Sequence, residues 1–258
     1  MPRPVNYDLI AHVYDDARRD YELDKNLVAY LREHSDIPPN DVRVLDVGCG
    51  TGKQLTANRA SLPQAQLVGL DRYAGMLNVA RPRCPEISWV HGDGSSLPFA
   101  SRQFDYACNQ FSYHHVPDKG RLLSEIFRVL KPGGRFALWN IDPWSMERWI
   151  IYQFFPEARM LDEEDFLQAS VLADLIEKAG FWNIQTSRTP IQLTENLQDF
   201  HAYALQRHQA SQFMALPDDQ YHAGVVRIEH ALTAGDARVI ESELCLVTIT
   251  GDKPGGSI

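Results

Sequence analysis

Residues 43–53, Arg-Val-Leu-Asp-Val-Gly-Cys-Gly-Thr-Gly-Lys, constrain the fold of this chain more than any other stretch. The run is apolar and β-branched apart from Arg43 and Asp46, which predicts a buried strand of a parallel sheet. Gly48, Gly50 and Gly52 follow, and a turn without Cβ atoms lets a ligand lie against the backbone. Residues 54–62 then fit a short helix whose first N–H groups would face that ligand. The pattern predicts a nucleotide-type site at the carboxyl edge of the sheet.

The glycine spacing separates three kinds of nucleotide site. The dinucleotide fingerprint G-x-G-x-x-G, counted from Gly48, needs a third glycine where this chain has Lys53. The P-loop G-x-x-x-x-G-K-[ST] needs a glycine at Val47 and a hydroxyl residue at Gln54. Both patterns fail, and what remains is Asp46 followed by three glycines at alternate positions.

The pattern D-x-G-x-G-x-G that begins at Asp46 resembles motif I of the class I S-adenosylmethionine-dependent methyltransferases, whose usual form is close to VLDxGCGTG. More closely, the chain resembles the small-molecule group of methyltransferase type 11, which is similar to the menaquinone and ubiquinone C-methyltransferases. The resemblance implies an α/β, Rossmann-like fold, with a doubly wound seven-stranded sheet whose last strand is antiparallel. It also implies S-adenosylmethionine as methyl donor and S-adenosylhomocysteine as product. The cofactor-binding candidates in this motif are Asp46, Gly48, Cys49, Gly50 and Gly52.

Acidic residues follow the second and third predicted strands. The strand 66–70 ends at Asp71, where a carboxylate can accept hydrogen bonds from ribose hydroxyls; the alternative is an aspartate that caps the next helix. The strand 87–91 precedes Gly-Asp-Gly-Ser-Ser-Leu-Pro-Phe, which resembles the GDA-x-x-LPF segment of the family. By that resemblance Asp93 and Gly94 bind adenine. Further candidates beside these strands are Arg72, Ser95 and Met76, the last of which equally fits core packing.

The residues before the first strand predict a helical lid over 1–41. Apolar residues recur at helical spacing over 9–17 and 23–31. By the resemblance, Tyr14 closes over the cofactor. The alternative is that Tyr7 and Tyr14 only pack this segment onto the domain.

The end of the fourth predicted strand, 104–111, would reach the methyl-donor sulfur by the same resemblance, and Asn109 and Gln110 would supply polar partners there. The next residues, Ser-Tyr-His-His-Val-Pro-Asp, resemble the LHH-x-xD stretch of the family. His114 and His115 are candidates for a catalytic general base; the alternative is a pair that tethers a loop. Because no cysteine or carboxylate flanks the pair at ligand spacing, we expect no metal site.

The second half of the chain predicts the substrate side. Residues 128–134, Arg-Val-Leu-Lys-Pro-Gly-Gly, resemble a family signature that ends the helix 122–130 before the fifth strand, 136–141. The polar and aromatic residues at the end of this strand are candidates for an acceptor pocket: Trp139, Asn140, Asp142 and Trp144. The alternative is that the two tryptophans only pack the core and the loop. Residues 145–165 predict a cover segment. A helical insertion of two helices, 194–236, separates the sixth strand, 181–193, from the antiparallel seventh, 244–250.

We therefore expect a single domain over 1–258, with a lid (1–41), a cofactor-binding core (42–141) and a substrate-side half (142–258). The net charge of −9 argues against a nucleic-acid partner and against docking on anionic lipid. Four separated cysteines, no apolar leader and no run of about 20 apolar residues favour a cytoplasmic protein outside the membrane. The insertion would suit either the acceptor site or a homodimer face.

The predicted function is methyl transfer from S-adenosylmethionine to a small-molecule acceptor through an N, O, S or C nucleophile. The chain lacks the Asn-Pro-Pro-Tyr clamp after the fourth strand, and its aromatic residues at 139–155 point to a small, partly apolar or aromatic acceptor. One alternative is a regulatory protein that binds the cofactor without turnover. A lesser alternative is a nicotinamide-dependent oxidoreductase, against which Lys53 speaks.

Overall fold

One seven-stranded sheet organises the part of the chain that the computed structural model describes, residues 5–15, 21–38, 40–234 and 239–255. Its strand order is β3-β2-β1-β4-β5-β7-β6, so the order reverses beside β1. The strands are β1 (Arg43–Val47), β2 (Gln66–Asp71), β3 (Ser88–His91), β4 (Phe104–Gln110), β5 (Leu130–Ile141), β6 (Trp182–Asn196) and β7 (Val239–Asp252).

The central strand β1 pairs in parallel with β2 on one side and β4 on the other, as a buried β-branched run predicts. On the far side of β5, the Gly133 N–H donates to the Lys253 carbonyl at 2.9 Å, and the Asp142 N–H donates to the Cys245 carbonyl at 2.8 Å. Residue numbers decrease along β7 as the numbers of their partners increase along β5, so β7 is antiparallel to β5. The predicted fold class is confirmed.

Helices connect the strands, and two of them begin at aspartate caps. Asp24 accepts from the Asn26 N–H at the start of α1, and Asp118 accepts from the Arg121 N–H at the start of α4. The helices are α1 (Lys25–Glu33), α2 (Lys53–Ser61), α3 (Ala74–Arg83), α4 (Lys119–Val129), α5 (Ile150–Phe154), α6 (Pro156–Asp165), α7 (Ala169–Lys178), α8 (Leu197–Ala204), α9 (Ser211–Ala215) and α10 (Asp218–Thr233). Among the described residues, no helix has the length and apolar content that a bilayer crossing requires.

The chain divides into two compact units, and the larger one holds the described residues of 7–140, 169–187 and 248–258. We call it the sheet unit. Its core includes residues buried completely between α1, α2 and the strands, such as Leu27, Val44, Leu55 and Tyr106. The Tyr106 hydroxyl donates to the buried Asp24 carboxylate at 2.7 Å, which ties the cap of α1 to β4.

The smaller unit holds the described residues of 1–6, 141–168 and 188–247, and we call it the helical unit. Aromatic side chains fill its core, where Phe155 packs against Phe213 and Tyr221. The Asp162 carboxylate is buried there and accepts from the Tyr152 hydroxyl and the Gln212 amide. The expectation of a single domain stays a prediction.

Several boundaries differ from the sequence predictions. The insertion between β6 and β7 is confirmed, but its described residues form three α-helices, α8 to α10, rather than two. Residues 131–134 do not form a separate turn before β5. They form a bulge within it, since Phe104 pairs with Leu130 whereas Tyr106 pairs with Arg135. The helix predicted over 9–17 is wrong for its described part, which is a 3₁₀ turn at Tyr7–Leu9 and further turns to residue 15; Ala17 lies outside the described residues.

Candidate active site

A cleft of about 700 Å³ opens in the sheet unit at the carboxyl ends of β1, β2 and β4. This is where parallel α/β sheets bind ligands, beside the reversal of strand order. Most of the residues that the sequence predicted for the site lie in its wall. They are Tyr14, Gly48, Gly50, Asp71, Arg72, Met76, Asp93, Gly94, Asn109, Gln110 and His115.

The glycine turn after β1 is bonded to β2. The N–H groups of Gly48 and Cys49 both donate to the Leu70 carbonyl, at 2.7 and 3.0 Å. Gly48 and Gly50 have φ values of +81° and +53°, in the region that favours glycine. A Cβ on Gly50 would meet nothing within 4 Å, so its backbone faces the open cleft. A ligand can therefore lie directly on this part of the turn.

The Asp71 carboxylate connects this turn to the end of β2. One oxygen accepts from the Gly50 N–H and the other from the Tyr73 N–H, each at 2.8 Å. Burial raises the pKa of Asp71, and these two bonds act in the opposite direction because they favour the ionised form. A carboxylate has about four lone-pair sites. Asp71 thus keeps acceptor capacity toward the cleft that it lines.

Asp93 lies after β3, with an exposed side chain. One of its oxygens accepts from the Ser95 N–H at 2.7 Å, so Ser95 orients this carboxylate. Next to it, a Cβ on Gly94 would lie 2.8 Å from Cδ1 of Leu122, and packing therefore accounts for this glycine.

The end of β4 places two amide side chains in the cleft wall. The Asn109 amide nitrogen donates to the Val47 carbonyl and to the Ser112 hydroxyl, each at 2.7 Å. The Asn109 carbonyl oxygen is buried and has no hydrogen-bond partner among the described residues, and the Gln110 amide lies beside the buried Cys108 thiol. Because these amide atoms have almost no accessible surface, they belong to the buried base of the cleft wall and not to its open face.

The two histidines have different surroundings. Nε2 of His115 lies 2.8 Å from the Tyr7 hydroxyl in the cleft wall. Nδ1 of His114 lies 3.0 Å from the Asn140 side-chain amide. Burial and nearby cations lower the pKa of both rings, that of His115 to about 4. Both imidazoles are neutral near pH 7.

Within the sheet unit, the N-terminal segment of residues 7–15 is bonded near both of its ends to other elements. The Asp8 carboxylate accepts from the Gly75 N–H at 2.7 Å. At the other end, Asp15 pairs with Arg83 at 2.5 Å and accepts from the Thr51 hydroxyl at 2.9 Å. Next to Asp8, the Tyr7 ring packs edge-on against Tyr14 and Tyr73. The cleft wall also includes Tyr7, Tyr73 and Ser112, which sequence reasoning did not assign to the site.

The spacing between Tyr7 and Tyr14 in the sequence was a signal for Tyr7. No signal in the sequence pointed to Tyr73 or Ser112.

Five predicted site residues lie outside the cleft wall: Asp46, Cys49, Gly52, Ser95 and His114. Asp46 is buried within β1, where burial raises its pKa to about 7. At Gly52, φ is +77° and a Cβ would overlap the Trp89 ring of β3, so backbone conformation and packing both require this glycine. The binding roles of these five residues stay predictions.

The predicted acceptor residues after β5 are divided between the units. Trp139 packs beside the core of the sheet unit, and Asn140 holds His114. In the helical unit, the buried Asp142 accepts from Arg188 at 2.6 Å and from the Ser145 hydroxyl at 2.9 Å. Their role toward an acceptor, and that of Trp144, stays a prediction.

Comparison with known proteins gives a family and close relatives. Residues 45–138 match the family model described as "Methyltransferase domain". The 2-phytyl-1,4-naphtoquinone methyltransferase of Thermosynechococcus vestitus is 32% identical over 174 residues, which cover 57% of this chain and 75% of that protein. The demethylmenaquinone methyltransferase of Anoxybacillus flavithermus is 32% identical over 168 residues, covering 55% of this chain and 71% of that protein.

A solved structure shares the fold. It is phosphoethanolamine N-methyltransferase 2 of Haemonchus contortus, in complex with phosphomonomethylethanolamine and S-adenosylhomocysteine. The match has a TM-score of 0.59 at 20% identity and covers 96% of this chain. This chain spans 57% of the length of that structure, and the likeness concerns the fold alone.

Proposed function

We propose, from the premise that this chain belongs to the class I S-adenosylmethionine-dependent methyltransferases of the menaquinone- and ubiquinone-like group, that its acceptor is a reduced quinone with an apolar substituent. The enzyme transfers a methyl group to a small-molecule acceptor, and S-adenosylhomocysteine is the product. The observation that carries the proposal is the similarity to two curated relatives whose names specify naphthoquinone and demethylmenaquinone.

The residues of the cleft fit S-adenosylmethionine. The backbone at Gly50 is open to a ligand, and Asp71 has unused lone pairs beside it for ribose hydroxyls. The exposed Asp93 carboxylate suits an amino group of adenine. When bound, the cofactor supplies an electrophilic methyl carbon on a sulfonium.

The apolar part of the cleft supports an apolar acceptor. Among the residues that line the wall, Phe111 offers an exposed aromatic side chain, 36% accessible. Burial of an apolar ring or substituent against such a surface is favourable by about 25 cal/mol per Å². The exposed ring therefore supports a hydrophobic aromatic acceptor over a small polar amine.

The acceptor must be in the oxidation state in which its ring is electron-rich enough to attack the methyl carbon. A quinone ring is electron-poor, whereas the reduced hydroquinone becomes nucleophilic at a ring carbon once a phenolic O–H loses its proton. When the ring carbon acquires a methyl group, its own hydrogen leaves as a proton, and the hydroquinone stays reduced. The chain must therefore exclude water, orient the ring and accept one phenolic proton.

His115, with Tyr7, is the proposed acceptor of that proton. Of the two histidines only His115 lines the cleft, and the Tyr7 hydroxyl lies within hydrogen-bond reach of its Nε2. A neutral imidazole can accept a proton directly or through the tyrosine hydroxyl. His114, whose Nδ1 is bonded to Asn140, is proposed to hold the loop.

The proposal also covers location and partners. Four free thiols, three of them buried, are typical of a reducing compartment, so we place the enzyme in the cytoplasm. The net charge of −9 favours a small molecule over nucleic acid as partner. A homodimer stays a prediction, to be tested by light scattering.

An oxygen-free assay tests the acceptor class. The protein is incubated with S-adenosylmethionine and a demethylated naphthohydroquinone that carries an apolar tail, and the product is analysed by mass spectrometry. Addition of one methyl group at a ring carbon is expected. A matched panel of the oxidised quinone, a phenol and a primary amine provides controls. Methylation of the amine but not of the hydroquinone would refute the proposed acceptor.

A further inference from the structure

Thr51, in the glycine turn after β1, is held by two residues that are far from it in the chain. Its hydroxyl donates to one oxygen of the Asp15 carboxylate at 2.9 Å, and its carbonyl accepts from Nη1 of Arg83 at 2.5 Å. The other Asp15 oxygen pairs with Nη2 of Arg83 at 2.5 Å. The three residues form a closed set of bonds, which we call the Asp15–Thr51–Arg83 network.

The network is partly shielded from water. Thr51 is only 3% exposed, and the side chains of Asp15 and Arg83 are 17% and 27% exposed. Salt screens an ion pair in such surroundings less than a pair on the open surface. The planar guanidinium of Arg83 can donate to a carboxylate and to a carbonyl at the same time, which an ammonium group does with less geometric precision. The side chain and the carbonyl of Thr51 are therefore both fixed in direction.

The same carboxylate holds the N-terminal segment, residues 7–15, beside α3. Asp8 accepts from the Gly75 N–H in the first turn of α3, and Asp15 pairs with Arg83, the last residue of α3. A Cβ on Gly75 would lie 2.9 Å from Oδ1 of Asp8 and 3.1 Å from its Cα, so this glycine permits the close approach. The segment is thus anchored at both ends of a helix about 15 Å long.

The position of the network relates it to the cleft. Asp15 follows Tyr14 and Thr51 follows Gly50 in the chain, and both Tyr14 and Gly50 line the cleft. The three members of the network are outside the cleft wall, so none of them has to touch a ligand. Because each of two members is one residue from the wall, breaking the network would release the Tyr14 ring and the glycine turn together.

We propose that Asp15 and Arg83 are positioning residues for S-adenosylmethionine. Together they hold the Thr51 carbonyl and the Tyr14 ring in the arrangement that binds the cofactor. Opening of their ion pair sets the rate at which the cofactor and S-adenosylhomocysteine leave the cleft. The proposal concerns the cofactor alone and does not depend on the identity of the acceptor.

The test measures exchange of S-adenosylhomocysteine by surface plasmon resonance and needs no turnover. Asp15→Asn keeps the size of the side chain and an oxygen that can accept from Thr51, but it removes the charge that pairs with Arg83. We expect the dissociation rate constant to rise at least about fivefold, with the association rate constant within about twofold of the wild-type value. Asp15→Glu restores the charge and should recover part of the slow dissociation.

Ionic strength gives a readout that a merely structural role would not change. In the wild type, dissociation should accelerate about twofold to threefold between about 0.05 M and about 1 M NaCl, because salt weakens a partly exposed ion pair. In Asp15→Asn the ion pair is absent, and the dissociation rate should be the same at both salt concentrations.

A double-mutant cycle separates the pair from its individual members. Arg83→Gln should raise the dissociation rate about as much as Asp15→Asn, and the double variant should add little to either, because both changes remove the same interaction. Glu157→Gln is the matched control, since Glu157 pairs with Arg227 at 3.1 Å, with side chains 28% and 41% exposed, outside the cleft wall. It should leave both rate constants unchanged.

Three results would overturn the proposal: a dissociation rate of Asp15→Asn within about twofold of wild type, fully additive effects in the cycle, or an unchanged salt dependence in Asp15→Asn. Thermal unfolding checks that each variant is folded at the assay temperature. If Asp15→Asn is not folded, Arg83→Lys replaces it, because lysine keeps the charge and loses the simultaneous contact with Thr51 and Asp15. Unchanged dissociation in that variant would equally overturn the proposal.

Turnover is a separate question. A wild-type protein that exchanges S-adenosylhomocysteine as expected but methylates no hydroquinone would contradict the proposed acceptor and leave the roles of Asp15 and Arg83 in place.

Discussion

The Tyr7 hydroxyl lies 2.8 Å from Nε2 of His115, although 108 residues separate them in the chain. This bond joins the N-terminal segment to the loop that follows β4, and both residues line the cleft. It gives His115 a fixed orientation and places a second ionisable hydroxyl at the proposed point of proton transfer.

Tyr7→Phe removes only the hydroxyl of this pair. A net hydrogen bond of about 1 kcal/mol corresponds to about a fivefold fall in kcat/KM for methyl transfer, with little change in thermal stability. Tyr30→Phe is the control, since Tyr30 is a buried tyrosine outside the cleft wall. Equal kinetics for Tyr7→Phe and the wild type would show that the hydroxyl has no part in closure or proton transfer.

The pH profile tests the protonation state of His115. Because burial lowers its pKa to about 4, the imidazole is already neutral above that value and can act as a proton acceptor. We expect no loss of kcat/KM from this group between pH 8 and pH 5.5. A histidine with the ordinary pKa of about 6.5 would instead lose about tenfold by pH 5.5. An inflection near pH 6.5 that disappears in His115→Asn would contradict the shifted pKa.

Asp71→Asn tests the carboxylate between the glycine turn and β2. Both carboxylate oxygens accept backbone N–H groups, whereas asparagine has one acceptor oxygen and would turn an NH₂ group toward one of those donors. The cost of about 1–3 kcal/mol, together with a weakened ribose contact, should raise the Kd for S-adenosylhomocysteine by about 10-fold to 100-fold. Calorimetry measures it, with the exposed Asp41→Asn as control. A Kd within twofold of wild type would remove Asp71 from the site.

Two glycine substitutions separate backbone strain from packing. Gly52→Ala would place a Cβ in the Trp89 ring at a φ of +77°, whereas Gly133→Ala has nearly the same φ, +79°, and nothing within 4 Å. Strain alone should cost about 1 kcal/mol at Gly133, and overpacking should bring the cost at Gly52 to about 2–4 kcal/mol. Urea unfolding gives both values. Equal losses would mean that Trp89 moves aside without cost.

Asp162→Asn tests the buried carboxylate of the helical unit. Burial raises the pKa of Asp162 from 3.8 to about 6, so the folded chain binds more protons than the unfolded chain between these values. Its contribution to stability is fully present below about pH 4 and is lost as the pH rises through 6, by about 3 kcal/mol at most. The variant should therefore gain stability relative to wild type between pH 4 and pH 7.

Unfolding free energies measured across that range provide the comparison for Asp162→Asn. Glu164→Gln, an exposed substitution on the same helix, should give a curve parallel to that of the wild type. Parallel curves for Asp162→Asn as well would mean that water or a rearranged Tyr152 hydroxyl keeps the carboxylate ionised at low pH.

Much of the fold could be predicted because its signals are local. The β-branched run before Gly48 favours a buried strand whatever follows, and alternate glycines require a particular turn. The same short-range logic located Asp71 and Asp93 after their strands. Local patterns failed where the partner was distant: residues 131–134 became a bulge of β5 because pairing along the sheet continued past them.

The residues of the motif itself therefore determined the strand and the glycine turn, since each depends on neighbours a few positions away, and the resemblance of the motif to a known family implied the class of cofactor. Which of His114 and His115 faces the cleft, why Gly52 is a glycine, and how Tyr7 reaches its partner depended on the tertiary structure. Those outcomes are set by which side chains meet across the sheet and the segments packed on it. Contacts between residues far apart in the chain produce no periodic pattern in the sequence from which they could be predicted.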